Sequence, residues 1–447
     1  MRLRALAAHA REVLRGRVVW HVNATDAGGG VAEQLRTHLA YGRGAGVVNR
    51  WLVLDGDPEF FAITKRVHNQ LHGVPGDGGP LGPAERDHYR AVLAANASGL
   101  DERLSGEDIV VLHDPQTAGL VGVARRAAAA VVWRCHVGRD ETDAWTDRAW
   151  EFLREHVEEA DSCVFSRAAY APAWLDPTRV RVIAPSIDPL SAKNGPLTAA
   201  DARSLLLHAA PALDEAGGGG LTEALSSRNR IVLQVSRWDR LKDMAGVMTG
   251  FGLLEGGLAD DVHLVLAGPQ TSGVSDDPEG AEVLLECRDV RAGLPAATKR
   301  RTHLLTLSMD DLVTNARLVN ALQRSAEVVV QKSLVEGFGL TVAEAMWKGR
   351  AVVASRVGGI QDQIRHGRDG LLLDDPADLE AFAQTLEMLL ADPVLARRLG
   401  HAAHERVLDE YVGDRHLERW ADLFVSLVAG DAQEISARDL GHSPEEE

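Results

Sequence analysis

Val328-Val329-Val330-Gln331-Lys332-Ser333-Leu334-Val335-Glu336-Gly337-Phe338-Gly339-Leu340-Thr341-Val342-Ala343-Glu344 reads as a strand, a tight turn and the opening of a helix. Three β-branched residues in succession suit a strand buried on both faces. Gly337 and Gly339 permit the turn, and the amides of Phe338, Gly339 and Leu340 at the helix start form a cradle for an anion. Glu336 in the loop and Glu344, about two turns into the helix, place two carboxylates beside it. Each can accept hydrogen bonds from vicinal hydroxyls. Acids near a helix start are also stabilised by its dipole, which is their plain structural role.

The same alternation of short apolar runs with helical segments extends in both directions. In the first half the runs are Val18 to Val22, Trp51 to Leu54, Ile109 to Leu112, Val131 to Cys135, Cys163 to Phe165 and Val180 to Ile183. In the second they are Ile231 to Val235, His263 to Ala267, His303 to Leu307, Val328 to Val330, Val352 to Ala354 and Leu371 to Leu373. Strands separated by helices mean parallel sheets covered on both faces, so the fold class is α/β with two Rossmann-like domains. Their ligand crevices, at the carboxyl ends of the strands, are expected to face each other across a deep cleft. The first domain is expected at 1–190, a linker at 191–228 and the second domain at 229–414. The linker reading rests on its prolines and the run Gly217 to Gly220. Trp420, Leu423 and Phe424 are expected to pack a last helix, about 415–430, back onto the first domain, with a disordered polar tail at 431–447. His401, His404 and His416 are expected on solvated faces.

Composition bounds the chemistry. The chain has 447 residues with 48 basic and 65 acidic side chains, a net charge of −17 that disfavours nucleic acid as a partner. Phosphate must then be held locally, and the loop after the Ile231 run carries Arg237 and Lys242, two cations that would face a ligand crevice. Solvated surface cations are the plain alternative. Three scattered cysteines fit a reducing cytoplasm, no run is long enough to span a membrane, and the first residues read as an amphipathic helix rather than a leader. Asn23 to Gly30 is a glycine-rich strand-to-helix turn, although it does not follow the dinucleotide pattern. Asp55-Gly56-Asp57 spells a metal-binding pattern of other transferases but reads here as a loop, and no metal or other cofactor is expected.

Glu336 to Glu344 resembles the E-x7-E element of retaining nucleotide-sugar glycosyltransferases of the GT-B fold, and Arg237 and Lys242 resemble that family's pair of donor-phosphate cations. Further stretches are similar to the trehalose-forming members, which include nucleotide-sugar-dependent trehalose synthases and retaining trehalose phosphorylases. These are His21-Val22-Asn23 with Gly28 to Glu33, Glu59-Phe60-Phe61 with Lys65, His68 and Asn69, His113-Asp114-Pro115-Gln116, Trp133-Arg134-Cys135-His136 and Pro185 to Ser191. The resemblance spans about residues 17 to 425.

It implies that Arg237 and Lys242 hold the donor phosphates, Glu336 the donor sugar hydroxyls and Glu344 the nucleotide ribose. Gly29, Gly30, Phe338, Gly339, Leu340 and Thr341 would line the donor, and His136 would contact the reacting sugar. Lys65, His68, Asn69, Asp114 and Gln116 are the acceptor-side candidates. The implied reaction moves glucose from UDP-, ADP- or GDP-glucose to glucose, giving trehalose with retention by front-face transfer. Phosphorolysis of trehalose, transfer to another acceptor and a non-catalytic sugar-nucleotide binder stay open. The expected partners are small sugars and nucleotide sugars, with a homodimer as the candidate assembly.

Overall fold

A computed structural model describes residues 2–26, 29–213, 220–226, 229–254, 261–271 and 278–439. It divides into two compact units, one of Met1–Pro185 with Gly413–Glu447 and one of Ser186–Val412.

The first unit holds six parallel strands, β1 (Val18–Asn23), β2 (Val48–Val53), β3 (Ile109–His113), β4 (Ala130–Cys135), β5 (Ser162–Phe165) and β6 (Val180–Val182). Their order in the sheet is β2-β1-β3-β4-β5-β6, so the chain reverses its direction of travel between β1 and β3. The period-two alternation of a strand sorts the side chains. Trp20, Val22, Val110, Leu112, Val131 and Trp133 enter one core with Phe60 and Tyr89. Val19, Ile109, Val111, Val132 and Val164 enter a second with Trp420, Leu423, Phe424 and Val428 of the helix Gly413–Asp439. That helix runs nine residues into the expected tail, and residues 440–447 lie outside the described residues. The chain opens with the helix Arg2–Val13.

In the second unit β7 (Arg230–Val235), β8 (Val262–Pro269), β9 (Thr302–Leu307), β10 (Val328–Gln331), β11 (Ala351–Ser355) and β12 (Leu371–Leu373) form a parallel sheet of order β12-β11-β10-β7-β8-β9. Here the reversal falls between β7 and β10. The core joins Val232, Leu264, Val328, Val330 and Val353 to Phe251, Phe382 and Leu386.

The expected linker is corrected by the structure. Residues 191–228 include the helices Ala199–Leu213 and Gly220–Ser226, which belong to the second unit. Ala202, Leu206, Ala210 and Leu213 recur at helical spacing and are buried, which outweighs the prolines that suggested a flexible segment. Residues 214–219, with most of the glycine run, lie outside the described residues. Among the described residues no helix is long and apolar enough to cross a membrane.

Candidate active site

Ligands of open α/β sheets bind beyond the carboxyl ends of the strands where the strand order reverses. In the second unit that point is flanked by the loops after β7 and β10. The first carries Arg237 and Lys242, the second Glu336, and the two loops are stitched together. Leu334 N donates to Leu241 O at 2.8 Å. The Gln234 amide, at the end of β7, donates to Lys242 O at 2.8 Å and accepts from Lys332 N at 3.2 Å. The result is a direct contact of Lys242 Nζ with Glu336 Oε2 at 2.8 Å, supported by Ser333 Oγ at 3.2 Å. Arg237 is 61% exposed and pairs with Asp239 at 3.0 Å.

The helix Leu340–Trp347 begins at Gly339, whose φ of +85° suits glycine, and no side chain caps its first amides. Thr341 Oγ1 donates to Gln331 Oε1 at 2.9 Å, and Gln363 Nε2 donates to Phe338 O at 2.5 Å, so the turn is pinned from both sides. Phe338 packs against Tyr411. Glu344 lies one turn into the helix, not two, and is buried. Its Oε1 is 3.5 Å from Lys193 Nζ, and its Oε2 has no hydrogen-bond partner among the described residues.

Sequence reasoning passed over several neighbours of this site. Lys332 is fully buried and pairs with Asp243, itself a left-handed residue at φ 48° that caps the next helix through Gly246 N. Lys348 donates to Asn194 Oδ1 at 2.8 Å, and burial pushes its pKa down to about 7. The i, i+4 spacing of Glu344 and Lys348 was the available signal for the second of these.

In the first unit the reversal point lies between β1 and β3. Gly29 and Gly30 open the helix Gly29–Gly44 after β1, and Gly28 lies outside the described residues. Asp114 follows β3 in a left-handed conformation, φ 63°, and its Oδ1 accepts from His136 N at 2.7 Å. A left-handed aspartate is tolerated when its surroundings hold it there. Burial raises its carboxyl pKa to about 7. Gln116 sits half-buried in the short helix Asp114–Thr117, against which the helix Pro58–Leu71 packs. That helix carries His68 and Asn69 half-buried and Lys65 exposed to solvent.

His136 belongs to a buried group that the sequence did not suggest. Its Nε2 lies 3.0 Å from His113 Nδ1, and His113 Nε2 lies 3.1 Å from His21 Nδ1. Burial holds all three well below the usual histidine pKa. His416 is not solvated as expected. It joins this group with Nδ1 on Ala184 O, while His404 contacts Trp347 O and His401 is exposed. The available signal was strand parity, because His21, His113 and Arg134 share the face of Val19, Val111 and Val132. Asp57 of the D-x-D triplet caps the helix Pro58–Leu71 and pairs with His88, and among the described residues no group of three or more His, Cys, Asp or Glu side chains is arranged to hold a metal ion.

Comparison with known proteins bears on this arrangement. Residues 21–172 match the family described as "Trehalose synthase, N-terminal domain", and residues 222–406 match "Glycosyl transferases group 1". A trehalose synthase of Pyrococcus horikoshii is 35% identical over 416 residues, 93% of this chain and 91% of that protein. A trehalose phosphorylase of Pleurotus pulmonarius is 25% identical over 92% of this chain and 57% of its own length. Among solved structures, a UDP-forming α,α-trehalose-phosphate synthase from Burkholderia vietnamiensis superposes with a TM-score of 0.70 at 17% identity, covering 93% of this chain and 99% of that one.

Proposed function

The chain belongs to the trehalose synthase family of glycosyltransferases, and from that premise we propose that it transfers glucose from a nucleoside diphosphate glucose to glucose. The product is α,α-1,1-linked trehalose, formed with retention at the donor's anomeric carbon. That the enzyme is a hexosyltransferase engaged in trehalose-related glycosyl transfer follows from the family itself.

The observation that carries the finer reading is the Lys242–Glu336 contact beside an uncapped helix start at the reversal point of the second unit. A diphosphate donor fits such a site. Lys242 and Arg237 take its phosphates, the free amides at Leu340 and Thr341 add partial positive charge, and Glu336 turns to the glucosyl hydroxyls. As the bond from the anomeric carbon to the phosphate oxygen breaks, its electrons go to the phosphate, where the cations stabilise them. The acceptor hydroxyl attacks the same face, and its proton passes to the departing phosphate oxygen. No enzymatic nucleophile is required, and positioning carries the rate. Lys65, His68, Asn69, Asp114 and Gln116 are the proposed acceptor residues, with His136 on the reacting sugar and Gly29 and Gly30 along the donor phosphate.

Phosphorolysis is the rival, because inorganic phosphate could occupy the same cations. Glu344 favours the nucleotide: its buried, unpartnered Oε2 suits a ribose diol, for which phosphate has no counterpart. A cytoplasmic location belongs to the same proposal, supported by three buried free thiols, Cys135, Cys163 and Cys287. Incubation of trehalose with a nucleoside diphosphate, in parallel with trehalose and phosphate, tests the reading. Nucleotide-glucose should form in the first, with activity surviving EDTA. Glucose 1-phosphate from the second alone would overturn it.

A further inference from the structure

In the second unit Glu336 Oε2 meets two groups, Lys242 Nζ at 2.8 Å and Ser333 Oγ at 3.2 Å. Ser333 is fully buried and lies 2.9 Å from Nε2 of Gln331, itself buried at the end of β10. The other end of that amide, Oε1, lies 2.9 Å from Thr341 Oγ1 in the first turn of the helix Leu340–Trp347. A continuous series of hydrogen bonds therefore runs from the helix start, through Gln331 and Ser333, to the carboxylate.

The carboxylate end fixes the direction of every bond in the series. A carboxylate beside an ammonium group accepts and does not donate, so the Ser333 hydroxyl proton points at Glu336. A hydroxyl has one proton, and Ser333 must then accept from the Gln331 amide nitrogen. With Nε2 on Ser333, Oε1 faces Thr341, whose hydroxyl must donate. Turning the amide over would set Oε1 against Ser333 Oγ. One proton would then have to serve both Oε1 and Glu336, and one of the two contacts would go without. Ser236 Oγ, at 3.2 Å from Nε2 and 3.3 Å from Oε1, suits either orientation and decides nothing.

We infer that Thr341, Gln331 and Ser333 are positioning residues that aim the carboxylate of Glu336, tying it to the turn whose amides face the donor phosphates. The Thr341 hydroxyl proton is committed to Gln331, so Thr341 donates to a phosphate through its main-chain amide alone. When a donor draws Lys242 Nζ onto its phosphates, Ser333 still holds Oε2, and the carboxylate stays oriented as it takes the glucosyl hydroxyls. No proton changes owner along the series. The inference rests on the reading of Glu336 as the residue that holds the donor sugar.

The test compares kcat/KM for nucleotide-glucose, at saturating glucose, with the affinity for the matching free UDP, ADP or GDP measured by calorimetry. Ser333→Ala should lower kcat/KM about tenfold, the effect of one lost hydrogen bond to a charged group, and Thr341→Val about fivefold. Thr341→Ser should restore the rate. The double variant Ser333→Ala/Thr341→Val should lose about tenfold and not about fiftyfold, because Thr341 acts only through Ser333. Affinity for the free nucleotide should stay within about twofold of wild type in all of them, since the amides and Lys242 remain. Glu336→Ala should lose more than any of these. If it keeps the wild-type kcat/KM, the reading of Glu336 fails and takes the inference with it. If Glu336→Ala is impaired while Ser333→Ala and Thr341→Val are not, the inference alone is overturned. Losses that multiply in the double variant overturn it too, as does weaker binding of the free nucleotide by Thr341→Val, which would put that hydroxyl on the phosphate. Should Ser333→Ala fail to fold, equal kcat/KM for Thr341→Val and Thr341→Ser overturns the inference by itself.

Discussion

Replacing Lys242 by alanine separates what the Lys242–Glu336 contact does for stability from what it does for transfer. The two side chains are 16% and 13% exposed and meet at 2.8 Å. A partly solvated pair of this kind contributes on the order of 1 kcal/mol, because desolvation offsets much of the attraction. For a unit of this size that is about 2–4 °C in Tm. The demand in the transition state is larger, since the leaving diphosphate gains charge as the glycosyl bond breaks. Loss of one fixed donor to such charge costs about 10²–10³ in kcat, roughly 2.7–4 kcal/mol. Lys242→Ala should therefore melt close to the wild-type protein and still be nearly inactive, and Lys242→Arg should recover part of the rate. The assay is nucleoside diphosphate release at saturating nucleotide-glucose and glucose, with trehalose quantified and melting followed by circular dichroism. A kcat within about threefold of wild type would refute the reasoning. So would a loss confined to the donor KM, which would mean that the lysine binds ground state and transition state alike.

Gly339→Ala places a Cβ at φ +85°, 2.9 Å from Ile360 Cγ1, so it should cost about 1–3 kcal/mol and weaken donor binding, read by denaturant melting and donor titration. Lys332→Met strands Asp243 beside a fully buried site and should destabilise by about 3 kcal/mol, with Asp243→Asn in the same chain restoring part of it. Asp114 has its folded pKa raised to about 7 by burial, so the folded state holds more protons than the unfolded one between the ordinary carboxylate range and pH 7. Stability from this group should fall as pH rises through that window, and Asp114→Asn should remove that slope from a pH series of melts. His38, lowered to about 4 by burial, works in the opposite direction. Its stabilising effect is present above the unfolded histidine pKa and fades as pH drops from about 6.5 toward 4, so His38→Phe should flatten acid unfolding.

The strand positions and the turn chemistry were legible because they are local. Short, largely apolar runs announced each strand, and Gly337 and Gly339 announced the turn before the helix Leu340–Trp347. β2, expected at Trp51 to Leu54, instead runs Val48–Val53. The helix Ala199–Leu213 was masked by prolines and glycines whose local preference is overridden once that helix, with Leu206 and Ala210 buried, packs on the helix Leu312–Ser325. The partners of the site charges are set at distances the sequence does not encode. Lys242 and Glu336 are 94 residues apart, and His21 and His113 are 92 apart. Sequence by itself determined which side chains stand at strand ends, because a two-residue period and a few glycines suffice for that. Only the tertiary structure decided which of them touch, which are shut away from water and so held neutral, and which buried atoms lack a partner, because desolvation and contact depend on the order in which strands are laid side by side.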